Sequence, residues 1–208
     1  MLMRIKSQLY SDAESQKKGA EQILDDCGPS SMSAAVAWAT GYALNPSAAD
    51  GVAAKAKATG RVEKQGVSDN GSSLADLIKT VRALGANARW AKSWEDAMTA
   101  AKAGAALGIW VESPVGYPAH AKSTWQRKWE AWWWVKQKQP NRTYGHMTSA
   151  SYDADAQTLQ FADPTFDEKN PKEQFAVPIT EADLKAIASG KPGSPASHIV
   201  IVTKKEQA

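Results

Sequence analysis

The spacing of the apolar residues changes once along this chain, after residue 103, and that change restricts the folds open to it. Up to that point the spacing is helical, with helices predicted over 28–39, 47–59, 73–84 and 94–103. Beyond it, short apolar and β-branched runs predict strands over 107–112, 147–152, 158–162 and 198–203. Residues 3–9 are expected to form an arm or an early strand. Helices followed by an antiparallel sheet predict an α+β protein.

Composition agrees with one globular domain. The chain has 208 residues, of which 43% are hydrophobic and 23% charged, as in ordinary soluble proteins. Neither an internal repeat nor a linker-like tract is visible, so residues 1–208 are predicted to form a single domain. A net charge of +3 is too small to indicate a nucleic-acid-binding protein.

Cysteine and histidine counts exclude several kinds of site. A single cysteine rules out an internal disulfide framework and a four-cysteine zinc site. Three widely separated histidines argue against a histidine-rich metal site, and neither a metal nor an organic cofactor is expected. No apolar run approaches the roughly 20 residues that a membrane span needs. The charged N-terminus lacks the apolar region of a secretory signal, so cytoplasmic synthesis is expected.

The only cysteine, Cys27, lies at the beginning of the first predicted helix. Pro29 suits a first helical turn, where the N–H that proline lacks has no partner within the helix. The unpaired N–H groups and the positive end of the helix dipole favour a thiolate, the nucleophilic form of cysteine. The acidic neighbours Asp25 and Asp26 act in the opposite direction. Position alone leaves two interpretations open: a reactive cysteine, or a buried structural one.

His146 and Asp163 lie at the open end of a predicted hairpin, whose strands 147–152 and 158–162 flank a turn-rich run (DADA). If the turn is centred between residues 154 and 155, the two residues are directly opposite each other on one face. The carboxylate can then accept a hydrogen bond from one ring nitrogen and leave the other for a cysteine. A register shifted by one residue would place them on opposite faces, and His146 would be a capping or core histidine.

The other two histidines, His120 and His198, have no partner aspartate at hairpin spacing. They are therefore weaker candidates than His146 for a catalytic role.

In the order Gln, Cys-Gly-Pro, His, Asp-Pro, the chain resembles the papain-like cysteine peptidases that remove double-glycine leaders from bacteriocins, and their relatives. Three stretches carry the resemblance: residues 22–39 around Cys27, residues 70–85 (NGSSLADLIKTVRALG) and residues 145–165 (GHMTSASYDADAQTLQFADPT). With the strand over 107–112 they span residues 20–168 in the family's order. Papain-like domains of this kind also occur as catalytic modules of phage and bacterial cell-wall lysins.

This resemblance implies a papain-like fold, in which a helical lobe with the nucleophile at a helix N-terminus packs on an antiparallel sheet. It also implies that Cys27 is the nucleophile, His146 the general base and acid, and Asp163 the residue that orients the histidine. Gln22 would donate a hydrogen bond in the oxyanion hole, although it lies one residue closer to the cysteine than the family's pattern. Transglutaminase-like acyl transfer uses the same three residue types and remains an alternative.

A tryptophan-rich basic segment over about 117–144 has no counterpart in that family. Trp125, Trp129 and Trp133 fall on one face of a predicted helix, among several lysines and arginines. The helix could dock on the core or cover the cleft. It could instead bind sugar rings, an anionic wall polymer or a substrate peptide, because tryptophan stacks on flat partners and basic groups attract anions. Single-stranded nucleic acid is disfavoured, since the basic residues do not extend beyond this segment.

The sequence thus predicts a cysteine peptidase, with a phage or bacterial cell-wall lysin as the leading interpretation. Its substrates would be peptidoglycan stem or cross-link peptides. It would be made without a signal peptide and would reach the wall after holin-type release through a separate membrane lesion. The alternatives are a peptidase that processes a leader or precursor protein, and a catalytically silent papain-like domain that binds its partner. The oligomeric state is not predicted.

Overall fold

The computed structural model describes residues 27–41, 74–113, 119–122, 144–164, 176–188 and 198–205. The helices of this part are α1 (Cys27–Thr40), α2 (Leu74–Ala83), α3 (Trp94–Lys102) and α4 (Glu181–Ala188), with a 3-10 turn at Ala119–Ala121. The strands are β1 (Ala86–Trp90), β2 (Ala106–Ser113), β3 (Tyr144–Asp153), β4 (Thr158–Ala162), β5 (Val177–Ile179) and β6 (Ile199–Lys204). The predicted helix over 47–59 and the arm or strand over 3–9 lie outside the described residues.

All six strands form one sheet in the order β1-β6-β2-β3-β4-β5, and every neighbouring pair is antiparallel. The predicted α+β class is therefore confirmed. Two short strands form the edges of the sheet, and Pro178 lies in one of them, β5. Proline is tolerated in an edge strand because it lacks only a backbone N–H, and on the outer side of the strand no neighbouring strand requires that donor.

Helices cover both faces of this sheet. Residues of α1 and α2 pack with one set of strand side chains, and residues of α3 and α4 pack with the other. The two sets alternate along β2, as the pleat of a strand requires: Leu107, Ile109 and Val111 contact the α3 side, whereas Ala106 and Gly108 lie towards α1. Each helix pair thus has its own apolar core.

Helix α1 is buried nearly all round, which is why its sequence has no polar face. Residues 30–37 are all buried, and the helix ends where Gly41 takes a φ of +73°. Gly108 of β2 allows α1 to lie close to the sheet. The terminal methyl group of Met32 occupies the space that a Cβ at position 108 would fill. This close approach places the start of α1, and hence Cys27, against the strands.

The hairpin of β3 and β4 forms as predicted, but the predicted register is wrong by two residues. The observed pairs run from Ser149 opposite Ala162 to Asp153 opposite Thr158, so His146 and Asp163 are not directly opposite each other. The turn has four residues because the Asp153 carboxylate accepts hydrogen bonds from the N–H groups of Asp155 and Ala156. Since the shift is even, both residues remain on one face of the sheet and become diagonal neighbours.

Within the described ranges, no helix has the length and apolar character that crossing a lipid bilayer demands.

Candidate active site

Cys27 is the first residue of α1 and is half-buried, with a free thiol. It packs against the apolar core beneath α1. The first turn of the helix contains no acidic side chain. The N–H groups of a first helical turn have no partner within the helix, so they present partial positive charge to the cysteine.

His146 and Asp163 form a buried pair. His146 Nε2 lies 3.0 Å from Asp163 Oδ1, and the side chains are only 1% and 3% exposed. Strand β3 supplies the histidine near its beginning, and the aspartate follows the last residue of β4. A diagonal pair in a sheet is close enough for a long side chain to bridge. Burial keeps water from competing for this hydrogen bond.

The Cys27 thiol is within hydrogen-bonding reach of the same imidazole ring. Because Asp163 occupies Nε2, the nitrogen available to the cysteine is Nδ1. The structure therefore brings three of the four predicted catalytic residues together, in the order Cys27, His146, Asp163. Elements that are far apart in the sequence supply them: one helix and one hairpin.

The electrostatics of the histidine follow from these two partners. Burial by itself would lower the pKa of His146, but the charge and hydrogen bond of Asp163, together with the Cys27 thiol, raise it to about 10. These partners therefore favour the charged form of the imidazole. An imidazolium next to a cysteine stabilises the thiolate, and it is also a proton donor for a leaving group.

The remaining histidines lie elsewhere. His120 is exposed, and its Nε2 lies 3.1 Å from the carbonyl oxygen of Pro178. His198 packs edge-on against Trp110, with 6.3 Å between the ring centroids. The histidine that the structure pairs with the Asp163 carboxylate is His146.

Several predicted site residues lie outside the described residues. They are Gln22, assigned to the oxyanion hole, and the substrate-binding candidates Trp125, Trp129 and Trp133. Their roles stay predictions. Among the residues that the structure describes, no group of three or more histidine, cysteine, aspartate or glutamate side chains is arranged to hold a metal ion.

Sequence reasoning missed two residues next to the site, Ser31 and Ser149. Ser31 belongs to a run of small residues in α1, which by itself indicates only that the helix can pack closely. Its hydroxyl donates to the carbonyl oxygen of Met147, and Ser149 donates to the carbonyl oxygen of Ser31. In the sequence, Ser31 follows Cys27 by four residues and Ser149 follows His146 by three, and this proximity was the only sign that they lie near the site.

Comparison with known proteins adds little. No family profile matches the chain, and no curated protein is significantly similar to it. Among solved structures, the chain is similar to a candidate C39-like peptidase from Bacillus anthracis, at 16% identity and a TM-score of 0.46. The alignment covers 88% of this chain and 90% of that one.

Proposed function

We propose that this chain is a papain-like cysteine peptidase that uses Cys27, His146 and Asp163 as its catalytic triad. The observation that carries the proposal is the buried His146–Asp163 hydrogen bond, with Cys27, at a helix N-terminus, as the second partner of the ring. A nucleophile, a base in contact with it and a third group that orients the base are the parts that acyl transfer through a covalent intermediate needs.

In the first half of the proposed reaction, the Cys27 thiolate attacks the carbonyl carbon of a peptide bond. A C–S bond forms, and the electron pair of the C=O double bond moves to the oxygen. The backbone N–H of Cys27 and the side chain of Gln22 would stabilise that oxyanion. When the tetrahedral intermediate collapses, the C–N bond breaks, and the His146 imidazolium protonates the departing amine. A thioester and a neutral imidazole remain.

In the second half, water attacks the thioester while His146 takes a proton from it. The C–S bond breaks, the carboxylic acid product leaves, and the thiolate–imidazolium pair is restored. Throughout, Asp163 accepts the hydrogen bond from Nε2, keeps the ring oriented and stabilises its positive charge.

The substrate class we propose is the peptide part of peptidoglycan, as in a phage or bacterial cell-wall lysin. This follows the resemblance to papain-like peptidases and the basic, tryptophan-rich segment over 117–144, which suits sugar rings and anionic wall polymers. Trp125, Trp129 and Trp133 would contact the wall. The proposed site of action is the cell wall, after release through a separate membrane lesion.

The test is the release of new free amines from purified bacterial peptidoglycan. We expect release by the wild type and none by Cys27→Ala or His146→Ala. Asp183→Asn is the control, because it neutralises a carboxylate of α4 that accepts from the Thr180 hydroxyl, outside the proposed site, and should leave activity unchanged. Unchanged activity in Cys27→Ala would refute the peptidase.

Three other outcomes would each support one of the alternative functions. Cutting of a precursor protein after a Gly-Gly pair, without action on the wall, would assign a processing peptidase instead. Incorporation of an added amine without net hydrolysis would assign acyl transfer. Binding to the wall by a chain whose Cys27 does not react with iodoacetamide would assign a silent binding domain.

A further inference from the structure

Two buried serines join the helix that carries Cys27 to the strand that carries His146. Ser31 Oγ donates to the Met147 carbonyl oxygen at 2.9 Å, and Ser149 Oγ donates to the Ser31 carbonyl oxygen at 2.7 Å. Both side chains are 1% exposed. The partners are 116 and 118 residues apart in the sequence. We call this pair of hydrogen bonds the serine clamp.

The serine clamp lies next to both reacting groups. Ser31 follows Cys27 by four residues, which is one helical turn, so the two lie one above the other on the same side of α1. On the strand, Met147 is the residue directly after His146, and Ser149 is three positions beyond the histidine. The clamp therefore connects the nucleophile and the base through only a few covalent bonds on each side.

Both carbonyl oxygens of the serine clamp are able to accept these hydrogen bonds. Pairing between β3 and β4 begins at Ser149, so Met147 lies two residues outside that ladder. Its carbonyl oxygen accepts from a helix side chain instead. The Ser31 carbonyl is within α1, and because a carbonyl oxygen has two lone pairs it can accept from Ser149 in addition to its helical partner.

Apolar packing alone would leave the position of α1 less defined. The contact of Met32 with Gly108 sets how close the helix lies to the sheet, but apolar contacts are not directional. Hydrogen bonds are directional and weaken steeply when they are misaligned. Two of them in opposite senses resist both sliding and rotation of α1 along β3.

We infer that Ser31 and Ser149 are positioning residues that hold the Cys27 sulfur at its distance from the His146 ring. The inference rests on the proposed function and deepens it. A displacement of about 1 Å between reacting groups can reduce a rate about 10²-fold. Loss of one clamp bond should therefore slow the reaction of Cys27 far more than it changes the binding of a substrate.

The experiment compares Ser31→Ala and Ser149→Ala with Ser30→Ala. Ser30 is the matched control: it is adjacent to Ser31 and equally buried, but its hydroxyl has no hydrogen-bond partner among the described residues. The probe is iodoacetamide, and the readout is the rate of Cys27 alkylation from pH 5 to pH 10. In parallel, kcat and KM are measured for amine release from peptidoglycan, and thermal melting monitors folding.

We expect both clamp variants to lose about 10-fold in alkylation rate at pH 6 and in kcat, with KM within about twofold of the wild type. His146→Ala should lower the alkylation rate at pH 6 at least as much. Ser30→Ala should match the wild type. Ser149→Thr keeps a hydroxyl in a strand position and should restore most of the rate.

A wild-type alkylation profile in folded Ser31→Ala and Ser149→Ala, with His146→Ala altered, would overturn the inference and leave the peptidase intact. An equal loss in Ser149→Thr and Ser149→Ala would also overturn it, because the hydroxyl would then not be the cause. An alkylation rate that His146→Ala leaves unchanged would refute the proposed function, and the positioning role with it. If Ser31→Ala does not fold, Ser149→Ala and Ser149→Thr decide the question.

Discussion

The imidazole of His146 and the carboxylate of Asp163 meet diagonally across the β3–β4 hairpin, with Nε2 and Oδ1 3.0 Å apart and both side chains buried. Neither residue depends on a distant element to find the other, because a single hairpin holds both. Cys27 must instead be brought to them by the packing of α1.

Replacing the carboxylate tests its effect on the ring. In Asp163→Asn we expect the pKa of His146 to fall, because a neutral amide no longer stabilises the imidazolium that Asp163 stabilises now. NMR titration of the imidazole protons measures this directly. Activity should fall about 10²-fold, yet remain above that of Cys27→Ala.

The control for that substitution is Asp183→Asn, which neutralises a carboxylate in the first turn of α4 that accepts from the Thr180 hydroxyl. It should leave the His146 titration unchanged. An unshifted pKa in Asp163→Asn would show that the pair does not carry the charge interaction described above.

Stability should depend on pH through the same histidine. The folded pKa of His146, about 10, lies above the value of about 6.5 expected in the unfolded chain. Between these two pKa values the folded protein holds a proton that the unfolded chain has released. The stabilisation by His146 is therefore fully present below pH 6.5 and is lost as the pH rises from there towards 10. Urea unfolding at pH 6 and pH 9 measures the change.

His146→Gln removes this contribution together with the effect of the ring on its partners Asp163 and Cys27. We expect the wild type to lose more unfolding free energy between the two pH values than the variant does. Equal losses would contradict a raised histidine pKa.

Adding a methyl group at Gly108 tests how closely α1 must lie. Gly108→Ala places a Cβ where the Met32 methyl group now sits, so the end of this flexible side chain must move, and we expect destabilisation of about 1 kcal/mol and slower alkylation of Cys27. Met32→Leu removes that methyl group and should recover part of the loss in the double variant. Additive losses in a double-mutant cycle would indicate that the two positions do not compete for space.

The beginning of α3 offers a test of stability alone. Ser93 is its N-cap, and the Ser93 side chain accepts from the Asp96 N–H at 3.0 Å. Ser93→Ala should cost about 1 kcal/mol of unfolding free energy. Because α3 packs on the face away from α1, the alkylation rate of Cys27 should not change. A changed rate would mean that the two faces are coupled.

Substrate contact by the tryptophan-rich segment can be tested by cosedimentation with peptidoglycan. Trp129→Ala should weaken binding by more than about 1 kcal/mol while the alkylation rate of Cys27 stays the same. Trp90→Ala is the control, because Trp90 is an exposed tryptophan on the edge strand β1. Equal binding by both variants and the wild type would remove this segment from the substrate site.

Local features explain why much of the fold could be predicted. Gly41 ends α1 and Gly85 follows α2, each with positive φ, and Ser93 caps α3. Capping, periodicity and turn residues act within a few positions of the chain, so they can be read without knowing the fold.

Strands β1 and β5 were missed because their sequences lack such features. Strand β1 (ANARW) has alanines rather than β-branched residues at its buried positions, and β5 contains a proline. Both segments are strands because they pair with a neighbouring strand at an edge of the sheet, where the tertiary structure outweighs their local preference. Helix α4, from Glu181 to Ala188, was not predicted either, although its buried Leu184 and Ile187 complete the core beneath α3.

By itself, the sequence determined the α+β class, the hairpin and the candidate residues Cys27, His146 and Asp163, because spacing and chain order are local properties. Only the tertiary structure decided the register of the hairpin, the contact of Cys27 with His146 and the serine clamp. Those depend on which turn Asp153 stabilises and on hydrogen bonds between residues more than 100 positions apart. Tertiary packing brings such distant partners together, and a short stretch of sequence carries no information about it.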